Sequence, residues 1–324
     1  MKRMETVSLW LFISAFLCLY YGIYADNTAY GGEAKIGVVA ISHGAPMKTW
    51  NEKVSKLVSA VNSPYPVETA FFDYDEERTL EKSITRLQGK GANEILVLHL
   101  SPSSYSHHHE QLRYQVGLRK DLGIYTEEIG PPLKLDVKKI IVSPCMDEHP
   151  LMVDILTEYA KELSQDPAKE SLVLIGHGPV EELVNIMWER QLKRIGRQIK
   201  ARLHFREVVS MTLRDDSADL IREHVAETLK KEVKRLSAQG KVIVVAYTLG
   251  PMMVQMQLKQ ILRKIPNVVI SKKGVASHPK TVKWIEATIS KGMNQTEPPP
   301  VKRTWSHLDY DTDKPVGTHR YGFY

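Results

Sequence analysis

An apolar run that ends in His-Gly and gives way to a helical pattern occurs twice in this chain, and that recurrence narrows the folds open to it. Residues 35–53, KIGVVAISHGAPMKTWNEK, carry it first, with the run closing on Ser42-His43-Gly44. Residues 171–190, SLVLIGHGPVEELVNIMWER, carry it again around His177-Gly178. A continuous stretch of small and β-branched apolar residues followed at once by helical spacing is the pattern of a strand buried on both faces of a parallel sheet. Open sheets of that kind bind ligands outside the carboxyl ends of their strands, which makes His43 the first residue to explain.

The segments between and after these two runs keep the alternation. In the first copy, strands are expected at about 36–42, 67–72, 94–100 and 136–142, with helices at about 48–61, 78–89, 108–121 and 149–164. In the second, strands fall near 171–176, 203–210, 241–248 and 267–271, with helices at about 180–200, 214–238, 253–264 and 278–291. Regular alternation of strand and helix implies an α/β fold with a helix-covered parallel sheet. The expected architecture is therefore two similar doubly wound domains related by tandem duplication, over residues 35–164 and 170–291, joined by the polar segment 164–170. Residues 292–324, with several prolines, scattered aromatics and no period, are expected to form an irregular tail.

At the amino end, Lys2 and Arg3 precede Leu9–Tyr24, sixteen uncharged and mostly apolar residues, before Ala25-Asp26-Asn27 turns polar. That order is expected of a secretory signal over residues 1–25, and the run is short for a membrane span; an uncleaved anchor through residues 9–24 is the alternative. Export, in a bacterial setting to the periplasm, follows from the first. Only two cysteines occur, Cys18 and Cys145, so removal of the signal leaves Cys145 with no partner for an intramolecular disulfide. Metal chemistry is then expected from histidines and carboxylates. The formal charge of +6 favours acidic partners, with basic residues gathered over Arg190–Arg202. No nucleic-acid motif accompanies that stretch, and a solvated helix face explains it more simply.

The third strand, EILVLHL, runs into SPSSYSHHHEQL, which sets His107, His108 and His109 at the start of a helix. Carboxyl ends of parallel strands share one rim, so His43 and this triplet can face one another across a cleft. Neutral imidazoles are both proton acceptors and ligands for borderline ions such as Co²⁺, Ni²⁺, Fe²⁺ and Zn²⁺. His107 is taken as the second site residue. His108 and His109 are the lesser candidates, and His99 is expected to be structural. Glu110, three residues after His107 on the same helical face, is a candidate to relay a proton or orient an imidazole.

This combination resembles the class II sirohydrochlorin chelatases of the CbiX and SirB type, over about residues 35–290. ISHGAP matches the family's strand ending in His-Gly-Ser, with Ala45 in place of Ser. ILVLHLSPSSYSHHHEQL matches the second element in spacing, with Ser and Tyr replacing the family's usual loop residues. The resemblance implies ATP-independent insertion of a divalent metal, Co²⁺ or Fe²⁺ with Ni²⁺ as a further candidate, into a sirohydrochlorin-type tetrapyrrole. It places His43 and His107 as metal ligands and catalytic bases, with Glu110 assisting. It implies no organic cofactor; the partners are the polycarboxylate macrocycle and the ion, with no nucleic acid, and a homo-oligomer is a further possibility. The absence of a GxxxxGK[ST] motif agrees with a reaction that uses no ATP.

Alternatives remain at this level. The second copy keeps His177 but has Met252, Met253 and Val254 where a second histidine would fall, so it is expected to cap the cleft or to touch the macrocycle through Met and Tyr247. Glu181 and Glu182 are its candidate carboxylates. Because tetrapyrrole synthesis is usually cytoplasmic, an exported metal or tetrapyrrole carrier without turnover is the rival function.

Overall fold

The computed structural model describes residues 35–122 and 130–295; the segment expected as a signal or anchor, and the expected tail from residue 296 onward, lie outside them. β1 (Ile36–Ser42), β2 (Val67–Phe71), β3 (Glu94–His99) and β4 (Lys139–Val142) form one parallel sheet in the order β2-β1-β3-β4. β5 (Ser171–Gly176), β6 (Glu207–Thr212), β7 (Val242–Ala246) and β8 (Val268–Ile270) form a second parallel sheet in the order β6-β5-β7-β8. The second order is the first with each strand advanced by four, so the tandem α/β expectation holds at the level of topology. Each His-Gly run supplies a central strand, β1 or β5, flanked on both sides.

Among the described residues, seven α-helices connect successive strands and an eighth follows β8: α1 (Lys48–Ser59), α2 (Leu80–Gly89), α3 (His107–Gln115), α4 (Pro150–Leu163), α5 (Glu182–Leu203), α6 (Asp219–Ser237), α7 (Met252–Leu262) and α8 (Pro279–Ser290). Local chemistry sets several of their starts. The Thr79 and Ser106 side chains accept from the backbone N–H of Lys82 and His109, capping α2 and α3. Proline opens α4 and α8, where its missing N–H costs no helical hydrogen bond.

Boundaries differ from expectation where two periodicities overlap. The strand expected over 203–210 is β6 at 207–212, because α5 continues its apolar stripe of Leu192, Ile195 and Ile199 to Leu203 and ends at His204 in the left-handed conformation (φ 59°). The helix expected to reach residue 121 stops at Gln115, followed by Gly117 at φ 80°.

Strand alternation sorts the core. Val38, Ala40, Leu96 and Leu98 of the first sheet and Leu172, Leu174, Ile243 and Val245 of the second belong to one buried cluster, together with Trp188 of α5 and Trp284 of α8. Their neighbours in sequence, Val39, Ile41, Ile95 and Val97, or Val173, Ile175, Val242 and Val244, point to separate outer clusters. Side chains alternate across a pleated strand, so each sheet gives one face to its own helices and the other to a core shared by both copies. Polar links cross the same boundary: the Ser103 hydroxyl donates to Gln191 at 2.6 Å and the Tyr247 hydroxyl donates to the Asp147 carbonyl at 2.8 Å.

Candidate metal-handling site

The β1–β3 register pairs Ile41 with His99, and β1–β2 pairs Ser42 with Phe71, so His43 leaves the sheet at its carboxyl rim. Its Nδ1 lies 2.7 Å from the carbonyl oxygen of Gly44. A carbonyl can only accept, so Nδ1 carries a proton, and in the neutral ring Nε2 presents its lone pair. That lone pair faces Asp73 Oδ2 at 3.4 Å, with both side chains about half exposed. Two acceptors aimed at each other call for a proton or a cation between them.

Gly44 is required here by close approach. A Cβ on it would stand 1.9 Å from the Asp73 carbonyl oxygen. The His-Gly pair is thus a single device in which glycine lets the rim loops meet and its carbonyl sets the histidine tautomer.

The second copy repeats the device. His177 Nδ1 is 3.0 Å from the Gly178 carbonyl oxygen, and Nε2 is 3.3 Å from Asp215 and 3.6 Å from Asp216. Gly178 has φ 82°, and a Cβ there would lie 2.6 Å from that of Thr212. The carboxylates facing His177 are therefore Asp215 and Asp216. The expectation for Glu182 is corrected, since it pairs with Arg214.

The helix-start histidines separate into two environments. His108 lies edge-on to His43 with ring centroids 4.9 Å apart, and against His107 at 4.0 Å. The structure thus brings His43 and His107 into one rim cluster and puts His108 between them. Burial, followed by the charges of His107, His43 and His99, depresses the His108 pKa to about 2, which keeps its lone pair available. His109 turns inward instead, where its ring lies parallel to that of His99 with centroids 5.5 Å apart and the two Nδ1 atoms facing each other, and both residues are buried. One ring separates the two groups: Phe72 lies 5.3 Å from His99 and 5.4 Å from His108, centroid to centroid.

Two expectations need correcting. Glu110 is buried, and its oxygens accept from Arg113 at 2.6 Å and Arg119 at 3.0 Å, so its contacts build a brace beneath α3 instead of the expected relay. Tyr247 is fully buried in the shared core, which removes it as a macrocycle contact, whereas Met253 is exposed. The basic stretch of α5 is partly spent on ion pairs, Arg194 with Glu148 and Arg202 with Asp154.

Sequence reasoning missed Asp73, Asp215 and Asp216. A signal was present: in both copies an acidic residue follows within three positions of the end of the second strand, in AFFD and MTLRDD. It also missed Cys145, whose Sγ lies 3.5 Å from His99 Nδ1 and 3.3 Å from His109 Nδ1.

Two parallel sheets of matching order, with imidazoles gathered at the carboxyl rim of the first, define a duplicated α/β protein. The CbiX family model matches residues 37–163, the segment that carries the first sheet and its rim histidines. Among solved structures it is similar to SirB from Bacillus subtilis with Fe³⁺, at TM-score 0.59 and 16% identity, covering 79% of this chain and 95% of that one. It is also similar to the sirohydrochlorin chelatase SirB from Bacillus subtilis subspecies spizizenii in complex with cobalt, at TM-score 0.55 and 15% identity, covering 79% and 94%. A third likeness is to DR2241 from Deinococcus radiodurans, a multi-domain protein with structural similarity to chelatases, at TM-score 0.51 and 16% identity, covering 80% and 56%. No curated protein matches the sequence.

Proposed function

We propose that the protein inserts a divalent metal ion, Co²⁺ or Fe²⁺ with Ni²⁺ as a further candidate, into a sirohydrochlorin-type tetrapyrrole without ATP. The observation that carries this reading is the His43 tautomer: Nδ1–H is committed to Gly44, and Nε2 opens toward Asp73 beside His108. The CbiX match and the metal-bound SirB structures support it.

Insertion requires the ion to exchange water for four ring nitrogens while two pyrrole N–H protons leave. Imidazole lone pairs at His43, His107 and His108 can hold the incoming ion as it sheds water. A proton leaving the macrocycle can settle between His43 Nε2 and the Asp73 carboxylate, which are already 3.4 Å apart, and pass to solvent from that half-exposed pair. The charge balances, since one divalent cation enters as two protons depart. The amino-terminal run keeps export as part of the proposal, and fractionation of the expressed chain tests it.

The decisive experiment is anaerobic titration of sirohydrochlorin with Co²⁺, Fe²⁺ and Ni²⁺, followed by absorbance with and without protein. Metal insertion is expected to exceed the spontaneous rate. His43→Ala is expected to lower the enzymatic rate by on the order of a hundredfold, the lower end of what a positioned acid or base contributes. No acceleration by the native chain, or an unchanged rate in His43→Ala, would overturn the proposal. Tight binding without product release would establish a carrier instead.

A further inference from the structure

The buried group beneath the rim contains His99 from the end of β3, His109 from the first turn of α3 and Cys145 from the loop after β4. Their donor atoms form a closed triangle: Nδ1 to Nδ1 is 3.3 Å, and Sγ to the two nitrogens is 3.5 and 3.3 Å. We propose that this triangle is a second metal site, distinct from the rim, taking a borderline divalent ion such as Zn²⁺ or Co²⁺ on two imidazoles and one thiolate.

The edge lengths support this. Metal–nitrogen bonds of about 2.0 Å and metal–sulfur bonds of about 2.3 Å at the tetrahedral angle place two nitrogens about 3.3 Å apart, and nitrogen and sulfur about 3.5 Å apart. Hydrogen bonding alone accounts for the triangle less well. Only one of the two Nδ1 atoms can carry a proton without setting two N–H groups against each other. With the thiol hydrogen, that leaves at most two protons for three edges. An ion can engage all three donor atoms at once.

The surroundings tolerate it. All three residues are buried, and the neighbouring Arg113 guanidinium is paired with Glu110. On binding, the Cys145 S–H bond breaks as the sulfur–metal bond forms, the proton goes to solvent, and both imidazoles stay neutral with Nε2 protonated, the His109 Nε2–H remaining buried without a hydrogen-bond partner. The remaining single positive charge lies in the field of the Asp147 carboxylate, which acts on the same thiol. No step needs an oxidant or reductant. Because the ligands come from three separate segments, the ion assembles its site as the chain folds. Once bound, it pins the first turn of α3, which also carries His107 and His108.

The inference does not depend on tetrapyrrole insertion, and its test uses no macrocycle. The full chain is unfolded in chelator and refolded anaerobically with Co²⁺. A sulfur-to-cobalt charge-transfer band in the near ultraviolet, with intense visible bands of tetrahedral Co²⁺, is expected in the native chain. Both should survive in His43→Ala and Cys18→Ser. Cys145→Ala should lose the charge-transfer band, and His109→Gln, which keeps the thiol, should weaken Co²⁺ binding tenfold or more. Zn²⁺ should displace the cobalt and raise the melting temperature of the native chain but not of His109→Gln. Absence of the band in the refolded native chain, its survival in Cys145→Ala, or its loss in Cys18→Ser overturns the proposal.

Discussion

At the scale of single residues, the rim and the buried triangle use histidine in opposite ways. His43 has one nitrogen committed to a carbonyl and the other turned outward. His99 and His109 turn inward and are held neutral by burial, the His99 pKa falling to about 3. A buried imidazole whose folded pKa is depressed takes up its proton only on unfolding, so the unfolded chain binds more protons below the ordinary value of 6.5. Stability contributed by His99, His108 and His109 is therefore complete above that value and is lost as pH falls toward the folded values. Asp147 opposes this in part: burial raises its pKa to about 6, so its contribution is complete below its ordinary value of 3.8 and is lost as pH rises through 6. Glu189 and Asp215, also raised by burial, act in the same sense as Asp147, but the falls at His99 and His108 are the larger shifts. Urea midpoints measured in chelator should fall steadily from pH 6.5 to pH 4.5, with a shallower slope in His108→Gln; a flat native profile would contradict the assignment. Gly44→Ala drives a methyl group into the Asp73 carbonyl and should cost roughly 1–3 kcal/mol, the usual range for overpacking, with a fall in chelation rate as Asp73 is displaced.

At the scale of elements, the two faces of each strand carry different loads. Leu174 of β5 points into the core shared by both sheets, where Leu174→Ala should cost about 2–5 kcal/mol in urea unfolding. The α3 segment is where local and tertiary demands part. Three consecutive histidines look equivalent in the sequence, but successive helical positions differ by about 100°, so His107 and His108 reach the rim cluster while His109 turns into the core. Glu110 follows that rotation to Arg113 and Arg119. Proximity along the chain suggested a relay, but helical rotation made a brace.

At the scale of the whole molecule, the shared core means that the copies do not stand apart. Leu98, Leu174, Trp188, Val245 and Trp284 lie in one cluster, so heat or urea should unfold the described region in one cooperative transition. A fragment of residues 35–164 should fail to form a stable monomer, as read by sedimentation and circular dichroism; a monomeric, cooperatively folded fragment would refute the shared-core account. The two copies, the alternation of strand and helix, and the place of His43 at a strand end were legible in the sequence because apolar runs, helical spacing and His-Gly pairs are local patterns. Local pattern alone determined that the chain would be α/β and duplicated, with a histidine at the carboxyl end of a central strand in each copy. Only the tertiary structure decided which atoms meet there. Asp73 faces His43 because β2 lies beside β1, His108 rather than His107 lies nearest His43 in the ring contacts, and Cys145 joins His99 and His109 across separate segments. Those meetings depend on sheet order and helical rotation, which bring together residues far apart in the chain, and no local spacing encodes them.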